Sequence, residues 1–413
     1  MSRRGLDRGL LTAVGGLVLY GLIVLYSAGQ TDAPSDAQGA WVRQLIWIGL
    51  GLVTAIVVFR FSFRFLEWAA PMAYALGILV LVLTLAIGTG AGSAAGTKSW
   101  ITIAGFRLGQ PVEFVKLATI LMLAKYLSGL REPPESLRGL IPSALIAGIP
   151  AVLVLMQPDL GSAIVFSGIL FGMLYWAGVR PFLLLLLASP VLSLLLAVDT
   201  TLWGTRMVAL FIIILLGRTF VREGVAIYLI NSAMGVLAIV LWNGLKPYQQ
   251  KRLTTFLNPE IDPAAAGYQA IQSRVAIGSG GWFGNGWTQG PQKRLAFLPE
   301  QQTDFIFSIV GEELGFLGVL VALALFFLLL LALVRIARRA TEPFTSLVIF
   351  GIMALLLSHI FENIGMTVNL TPITGIPLPF FSYGGSFLLA MAVAIGLSLR
   401  AAWDARLAGY ADM

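Results

Sequence analysis

Asp304 stands directly before an apolar run, in the stretch Leu298-Pro299-Glu300-Gln301-Gln302-Thr303-Asp304-Phe305-Ile306-Phe307. An ionisable group inside or at the rim of a membrane helix costs roughly 2.5–3.5 kcal/mol on insertion scales, so each one asks for a reason. Pro299 suits a helix start. Asp304 is then expected at the outer end of a spanning helix, level with the lipid headgroups and partly desolvated. Partial desolvation raises a carboxyl toward the pKa of a usable general base. The other reading is an acid favoured by the helix N-terminal dipole, and spacing alone does not separate the two.

Farther along that helix, Ser308, Gly311, Glu312 and Gly315 share a face with Asp304. Glu312 lies about 12 Å deeper at the helical rise of about 1.5 Å per residue. Small residues on this face admit a second helix, and the expected role of Glu312 is a structural ion pair. A second cluster lies in KSWITIAGFRLGQPVEFVK, residues 98–116, where Pro111 marks a helix start. Glu113 and Lys116 are three apart and share a face, which suits either a polar cavity or a structural bridge. The third is Glu362-Asn363, followed by TPITGIPLPFFSYGGS at 371–386, which includes Ser382. Pro372, Pro377 and Pro379 with Gly375, Gly384 and Gly385 preclude a regular helix there. Irregular backbone at membrane depth is tolerated only when buried in protein or lining a cavity. The single histidine, His359, is read as a hydrogen-bonded packing residue.

These residues need a scaffold, and the composition says which. Of 413 residues 58% are hydrophobic and only 11% charged, too few charges to cover a soluble protein of this length. Apolar segments fall at 10–28, 44–60, 69–88, 111–130, 139–156, 160–178, 181–198, 205–217, 225–243, 305–334, 345–368 and 383–400. Most approach the roughly 20 residues that span a bilayer as a helix, and 205–217 is the shortest. Arg60, Arg64, Lys125, Arg131, Arg138, Arg180, Arg218, Arg222, Arg335, Arg338, Arg339, Arg400 and Arg406 fall on one side. By the positive-inside bias that side is cytoplasmic. The expected fold is an all-α polytopic membrane bundle of about twelve segments, with both termini cytoplasmic. The net charge of +7 follows topology and not nucleic acid. No cysteine is present, which excludes disulfides and thiolate chemistry, and one histidine excludes histidine-cluster metal sites. No cleavable signal peptide is read at the N-terminus; the first apolar stretch is taken as a retained spanning helix.

Two loops, 89–110 and 246–304, fall outside. The longer carries Lys246, Lys251, Arg252, Arg274, Lys293 and Arg294. This is either a solvated loop or a surface that binds something anionic. Within it, 264–277 reads as a short amphipathic helix lying at the interface. The glycine-rich run 278–286 has the look of a nucleotide fingerprint, but no strand precedes it and no helix starts from it. It is read as a tight backbone path, with Trp282, Phe283 and Trp287 dipping into the interface. Residues 88–97 are read as a flexible loop.

The stretches SWI and QPVEFVK (99–116), QPDLGSA (157–163), FLNPEIDPAAAGYQAIQS with AIGSGGWFGNGW (256–287), LPEQQTDFIFSIVGEELGFLG (298–318), and NIGM with GIPLPFFSYGGS (363–386) together resemble the SEDS family (shape, elongation, division and sporulation). They span most of the chain in the family's order. The GIPLP form is closer to the elongation branch, RodA, than to the division branch, FtsW. The resemblance implies a peptidoglycan glycosyltransferase that polymerises lipid II at the outer face of the bacterial cytoplasmic membrane, for elongation and rod shape. It places the family's essential aspartate at Asp304, its outer-loop tryptophan at Trp100, and its glutamate and lysine at Glu113 and Lys116. Lys116, Lys251, Arg252, Arg274 and Arg294 are then candidates to hold the undecaprenyl pyrophosphates. Glu312, Glu362, Asn363 and Ser382 are structural or cavity-lining.

The implied partners are a class B penicillin-binding protein that crosslinks the new strands, and other proteins of the elongation complex. A divalent cation, magnesium or manganese, could assist the leaving group, although no dedicated metal site is readable. The sequence departs from the family pattern at Val112, where serine is frequent, and at Ser99, where an arginine commonly precedes the tryptophan. Its twelve segments exceed the family's usual ten, and the surplus falls in 181–243, read as an insertion. The alternative from another class is a flippase for the lipid-linked precursor, which favours carboxylates near mid-membrane such as Glu312 and Glu362.

Overall fold

A computed structural model describes residues 6–90, 98–103, 106–197, 200–216, 221–244 and 267–411. In chain order the elements begin with α1 (Arg8–Ala28), α2 (Ala40–Phe59) and α3 (Phe63–Ile87), then a hairpin of β1 (Ile101–Ile103) and β2 (Phe106–Gly109). There follow α4 (Val112–Ser128), α5 (Leu137–Met156), α6 (Leu160–Trp176), α7 (Pro181–Leu196), α8 (Thr200–Leu216) and α9 (Val221–Gly244). The last five are α10 (Tyr268–Ser279), α11 (Pro291–Arg294), α12 (Ile306–Arg339), α13 (Pro343–Thr367) and α14 (Gly385–Ala411).

Each apolar segment of the sequence overlaps one of these helices; of 205–217, residues 205–216 lie within α8 and 217 is outside the described residues. Where a helix begins, a side chain takes up an orphan backbone N–H: Asp7 accepts from Leu10, Ser62 from Phe65, Ser136 from Gly139 and Asp159 from Ser162. Seven helices, α1, α2, α3, α5, α12, α13 and α14, are long and apolar enough to cross a bilayer. Large apolar side chains such as Leu19, Ile46, Leu52 and Leu76 are exposed on the outside of the bundle. A soluble protein could not carry so extensive an apolar surface, so the chain is a multi-pass membrane protein. Its centre is α13, which packs against α4, α6 and α12, while α14 lies along α2 and α1 along α12.

Three features differ from the sequence reading. The fold is nearly but not wholly helical, because Ile101–Ile103 and Phe106–Gly109 pair as antiparallel strands with Ile101 opposite Gly109. Residues 91–97 of the expected flexible loop lie outside the described residues, and Thr89 and Trp100 exchange two backbone hydrogen bonds, at 2.8 and 3.1 Å. The helix expected from Pro299 starts later, at Ile306, because residues 299–305 are turns.

The third difference is a break inside α12. Gly315 has φ 62° and ψ −161°, which divides the element into Ile306–Leu314 and Phe316–Arg339. A break exposes carbonyls on one side and N–H groups on the other, at several kcal/mol for each group left unpaired in hydrocarbon. The glycine-rich run supplies the partners. Asn285 and Gly286 donate to the carbonyls of Glu312 and Glu313, both at 3.0 Å. The carbonyls of Gly281 and Trp282 accept from Phe316 and Leu317, at 2.9 and 3.2 Å. Gly284, at φ +81°, packs so closely on the Glu313 backbone that any Cβ would collide with it. Trp287 stacks on Tyr26 and donates to the Ile23 carbonyl, while staying about half exposed.

The expected amphipathic helix is α10, of which 268–277 is described, and it packs on α12 and does not lie free at an interface. The buried Ser273 hydroxyl donates to the Thr367 carbonyl at 2.6 Å, so the Ser308 hydroxyl at 2.7 Å must be donating to Ser273.

Helices α7, α8 and α9, which cover the expected insertion, pack on one another around Leu186, Met207, Leu210 and Ile227. Arg206 ties them together. It donates to Ser193 Oγ and Asn231 Oδ1, both at 2.7 Å, and to the Ser189 carbonyl. Neutral acceptors thus satisfy a guanidinium inside an apolar unit.

Candidate active site

Asp304 sits in the turn that leads into α12, and three consecutive carbonyls of that turn are gripped from one direction. Tyr383 N–H donates to Gln302 O at 2.9 Å, Ser382 Oγ to Thr303 O, and Asn363 Nδ2 to Asp304 O at 2.9 Å. From the other side, the N–H groups of Thr303, Asp304 and Phe305 converge on the Glu300 carbonyl. The irregular segment 371–384 is therefore the mould for this turn, as its prolines and glycines require. Gly375, at φ +73°, lies so near that a Cβ would stand 3.3 Å from Asp304 Oδ2. Asp304 itself remains partly exposed. Burial in this setting, helped by the negative charge of Glu300 and opposed by the Thr303 side chain, pushes its carboxyl up from 3.8 to about 7. A carboxyl with that pKa and an open face can take a proton from a hydroxyl near neutral pH.

Behind this turn lies a second polar group. Lys116 Nζ donates to Glu113 Oε1 at 2.8 Å and points at His359 Nε2, 3.2 Å away, with all three side chains buried. An ammonium has only protons to offer, so His359 Nε2 accepts and Nδ1 carries the proton, which it gives to the Pro377 carbonyl at 3.2 Å. Asn363, one helical turn along α13, donates to the adjacent carbonyl, Ile376 O, at 2.7 Å. The two clusters thus hold the same strand of irregular backbone. Glu362 is buried beside them, and neither of its carboxylate oxygens has a hydrogen-bond partner among the described residues. Asp159, the cap of α6, accepts from Gln110 Nε2 at 3.1 Å.

A third cluster binds the outer loop to the broken helix. Lys293 Nζ pairs with Glu313 at 2.8 Å and donates to the Ser27 carbonyl at 3.1 Å, fully buried. Glu312, expected in an ion pair, instead accepts backbone N–H groups from Gln292 at 2.6 Å and Lys293 at 3.3 Å. The correction has a simple cause: the carboxylate lies at the start of α11, where unpaired N–H groups are available, and its neighbour Glu313 takes the lysine. Arg294, expected to face pyrophosphate, forms a two-pronged pair with Asp32 at 3.0 Å and is committed to the 29–39 loop.

The structure therefore brings Asp304, Asn363 and Ser382 together and places Glu113 and Lys116 behind them. Trp100 is partly exposed at its bridge with Thr89, Arg274 is exposed on α10, and Lys251 and Arg252 lie outside the described residues. Sequence reasoning missed the pairing of Lys293 with Glu313, the link from His359 to Lys116, and the close approach of Gly375 to Asp304. Only the last carried a local signal, a glycine between prolines. Among the described residues no group of three or more histidine, aspartate or glutamate side chains is placed to hold a metal ion.

A family model described as "Cell cycle protein", FTSW_RODA_SPOVE, matches residues 8–206 and 183–406. The peptidoglycan glycosyltransferase RodA of Treponema pallidum is 35% identical over 94% of this chain and 95% of its own length. A probable peptidoglycan glycosyltransferase FtsW of Trichlorobacter lovleyi is also 35% identical, over 97% of this chain and 94% of its own. A solved chain from work on the structural coordination of polymerization and crosslinking by a peptidoglycan synthase complex superposes with a TM-score of 0.70 at 29% identity, covering 97% of this chain and 98% of that one. The arrangement around Asp304 is thus set in a scaffold shared along nearly the whole chain, and the protein belongs to the FtsW/RodA/SpoVE family of cell cycle proteins, the SEDS family.

Proposed function

We propose that this protein is a peptidoglycan glycosyltransferase that polymerises lipid II, with Asp304 as general base. The observation that carries the reading is the Asp304 carboxyl, held at a fixed turn with one open face and a pKa near neutrality. It takes the proton from the GlcNAc 4-hydroxyl of the incoming lipid II. That oxygen bonds to the anomeric carbon of the growing strand, and the bond to undecaprenyl pyrophosphate breaks with its electron pair on the leaving oxygen. The α-linked donor gives a β-linked product, so one displacement with inversion suffices and no covalent sugar intermediate is needed. Lys116 and Arg274 are candidates for contacts to pyrophosphate; Lys116 would have to share its ammonium with Glu113.

The orientation that suits this chemistry puts both termini in the cytoplasm of a bacterial cell and the Asp304 turn outside. A chain without cysteine makes the test direct. In intact spheroplasts an impermeant maleimide should label Asp36→Cys, whereas Glu135→Cys should react only after permeabilisation. Both positions are exposed. The reverse pattern would place Asp304 in the cytoplasm and remove the proposal. That 181–243 is an insertion into a ten-helix core stays a proposal, since the family matches, 8–206 and 183–406, run through that segment. The GIPLP segment supports an elongation role, and the relative from a peptidoglycan synthase complex supports a class B penicillin-binding partner.

One observation favours a second reading, transport of the lipid-linked precursor: Glu362 is a buried carboxylate without a hydrogen-bond partner among the described residues. Purified lipid II separates the two. The protein, alone or with its penicillin-binding partner, should yield glycan strands in detergent, where there are no two sides to transport between. Failure to make strands under both conditions, together with movement of lipid II across a vesicle bilayer, would establish the transporter.

A further inference from the structure

We propose that the ends of α1, α12 and α14 on the face opposite Asp304 form a binding site for the anionic headgroup of a membrane phospholipid. Four arginines from three helices, Arg8, Arg335, Arg339 and Arg406, line one cavity of about 240 Å³. Among the described residues the only carboxylate in its wall is Asp7, which is already engaged. Its Oδ1 caps α1 through Leu10 N–H at 3.0 Å, and its Oδ2 pairs with Arg406 at 3.2 Å. Arg335 reaches across to α1, where a Cβ on Gly9 would stand 3.5 Å from its Nη1. The cavity wall therefore carries an excess of positive charge.

The positive-inside bias explains why each helix ends in arginine. It does not explain why residues some 70 and 330 positions from one another along the chain, by their numbers, share one cavity. Guanidinium groups match phosphate oxygens through paired N–H donors, which makes phosphate the chemistry of choice here. The rim decides in favour of a lipid over a soluble anion. Leu6 lines the cavity and is exposed, and Leu11 on α1 and Leu407, next to Arg406 on α14, are exposed apolar side chains on the same helices, a surface on which acyl chains would lie. Basic pockets between membrane helices hold anionic headgroups by this combination. The leaflet involved follows from the proposed orientation of the termini; the chemistry of the cavity does not depend on it.

Native mass spectrometry of the full chain, titrated with phosphatidylglycerol or phosphatidylcholine, tests the site. The wild type should retain phosphatidylglycerol selectively. R335Q/R339Q should bind it about 30-fold more weakly, as the loss of two basic contacts at an anionic membrane surface implies. R60Q/R64Q, which removes two exposed arginines elsewhere on the same face, should bind as the wild type does. Should R335Q/R339Q elute as aggregate, R8Q gives the same test from an exposed position in the first turn of α1 and should weaken binding about fivefold. A millimolar excess of inorganic phosphate should leave the lipid in place. Equal binding by variant and wild type, or equal losses in R60Q/R64Q, would overturn the site. Displacement by inorganic phosphate would overturn the lipid and leave a soluble-anion pocket.

Discussion

Asp304→Asn is expected to lower lipid II polymerisation by about 10²–10⁴-fold, the range associated with losing a positioned general base. The variant should remain folded, because the bonds that fix the turn reach main-chain carbonyls and not the carboxylate. Strand formation from purified lipid II on gels, with size-exclusion elution to verify folding, measures both halves of the claim. Polymerisation at the wild-type rate by a folded Asp304→Asn protein would leave the reaction class standing and remove Asp304 as the base.

The pH dependence gives the same prediction a sign. The carboxyl has a pKa of about 7, so protonation below that value removes the base, and the rate should fall about tenfold per unit well into the acid limb. Burial is the larger cause and the charge of Glu300 the second. Glu300→Gln should therefore move the acid limb toward lower pH, and Asp304→Asn should abolish it. Stability must run the other way. The folded carboxyl holds a proton that the unfolded one, near 3.8, releases. This group's contribution to stability therefore falls as pH rises from about 4 to about 7. A rate that climbed over the same interval merely because the protein became more stable would contradict that opposition.

How much of this could be read from the residues varied with the range of the interaction. Apolar blocks, prolines and arginines act locally, and they located every long helix and the irregular segment 371–386. The carboxylate before Phe305 was legible for the same reason, as an ion placed where an ion is costly. What lay hidden depended on contacts between distant parts of the chain. Nothing near Gly278–Gly286 signals that it completes a helix break some thirty residues later. The lysine at 293 looks like its neighbour Arg294 in sequence, yet one is buried against Glu313 and the other faces Asp32 near solvent. Hydropathy assigns both to a polar loop, because it measures residue type and not the partner that determines burial.

That buried lysine supports the second large prediction. Lys293→Met should destabilise the protein by about 3–5 kcal/mol, because it leaves the Glu313 carboxylate uncompensated inside the fold. The cost does not arise from the pair's own strength, since a well-packed apolar replacement of both partners is often nearly neutral. The double variant Lys293→Met with Glu313→Gln should therefore recover most of the loss, and a double-mutant cycle on thermal unfolding in detergent would measure the coupling. Additive losses would mean that the two residues act independently and that the lysine matters for its bonds to Ser27 and the Thr288 carbonyl. Raising salt should change the coupling little, because both side chains are at most 2% exposed and screening ions cannot reach them. Activity should follow stability. Glu312 and Glu313 lie on the short half-helix Ile306–Leu314, which begins two residues after Asp304 and ends at the break. Loosening the loop that holds this half-helix shifts the base relative to its mould at 371–384. The single variant should therefore lose polymerisation even at temperatures where it stays folded, and the double variant should regain it.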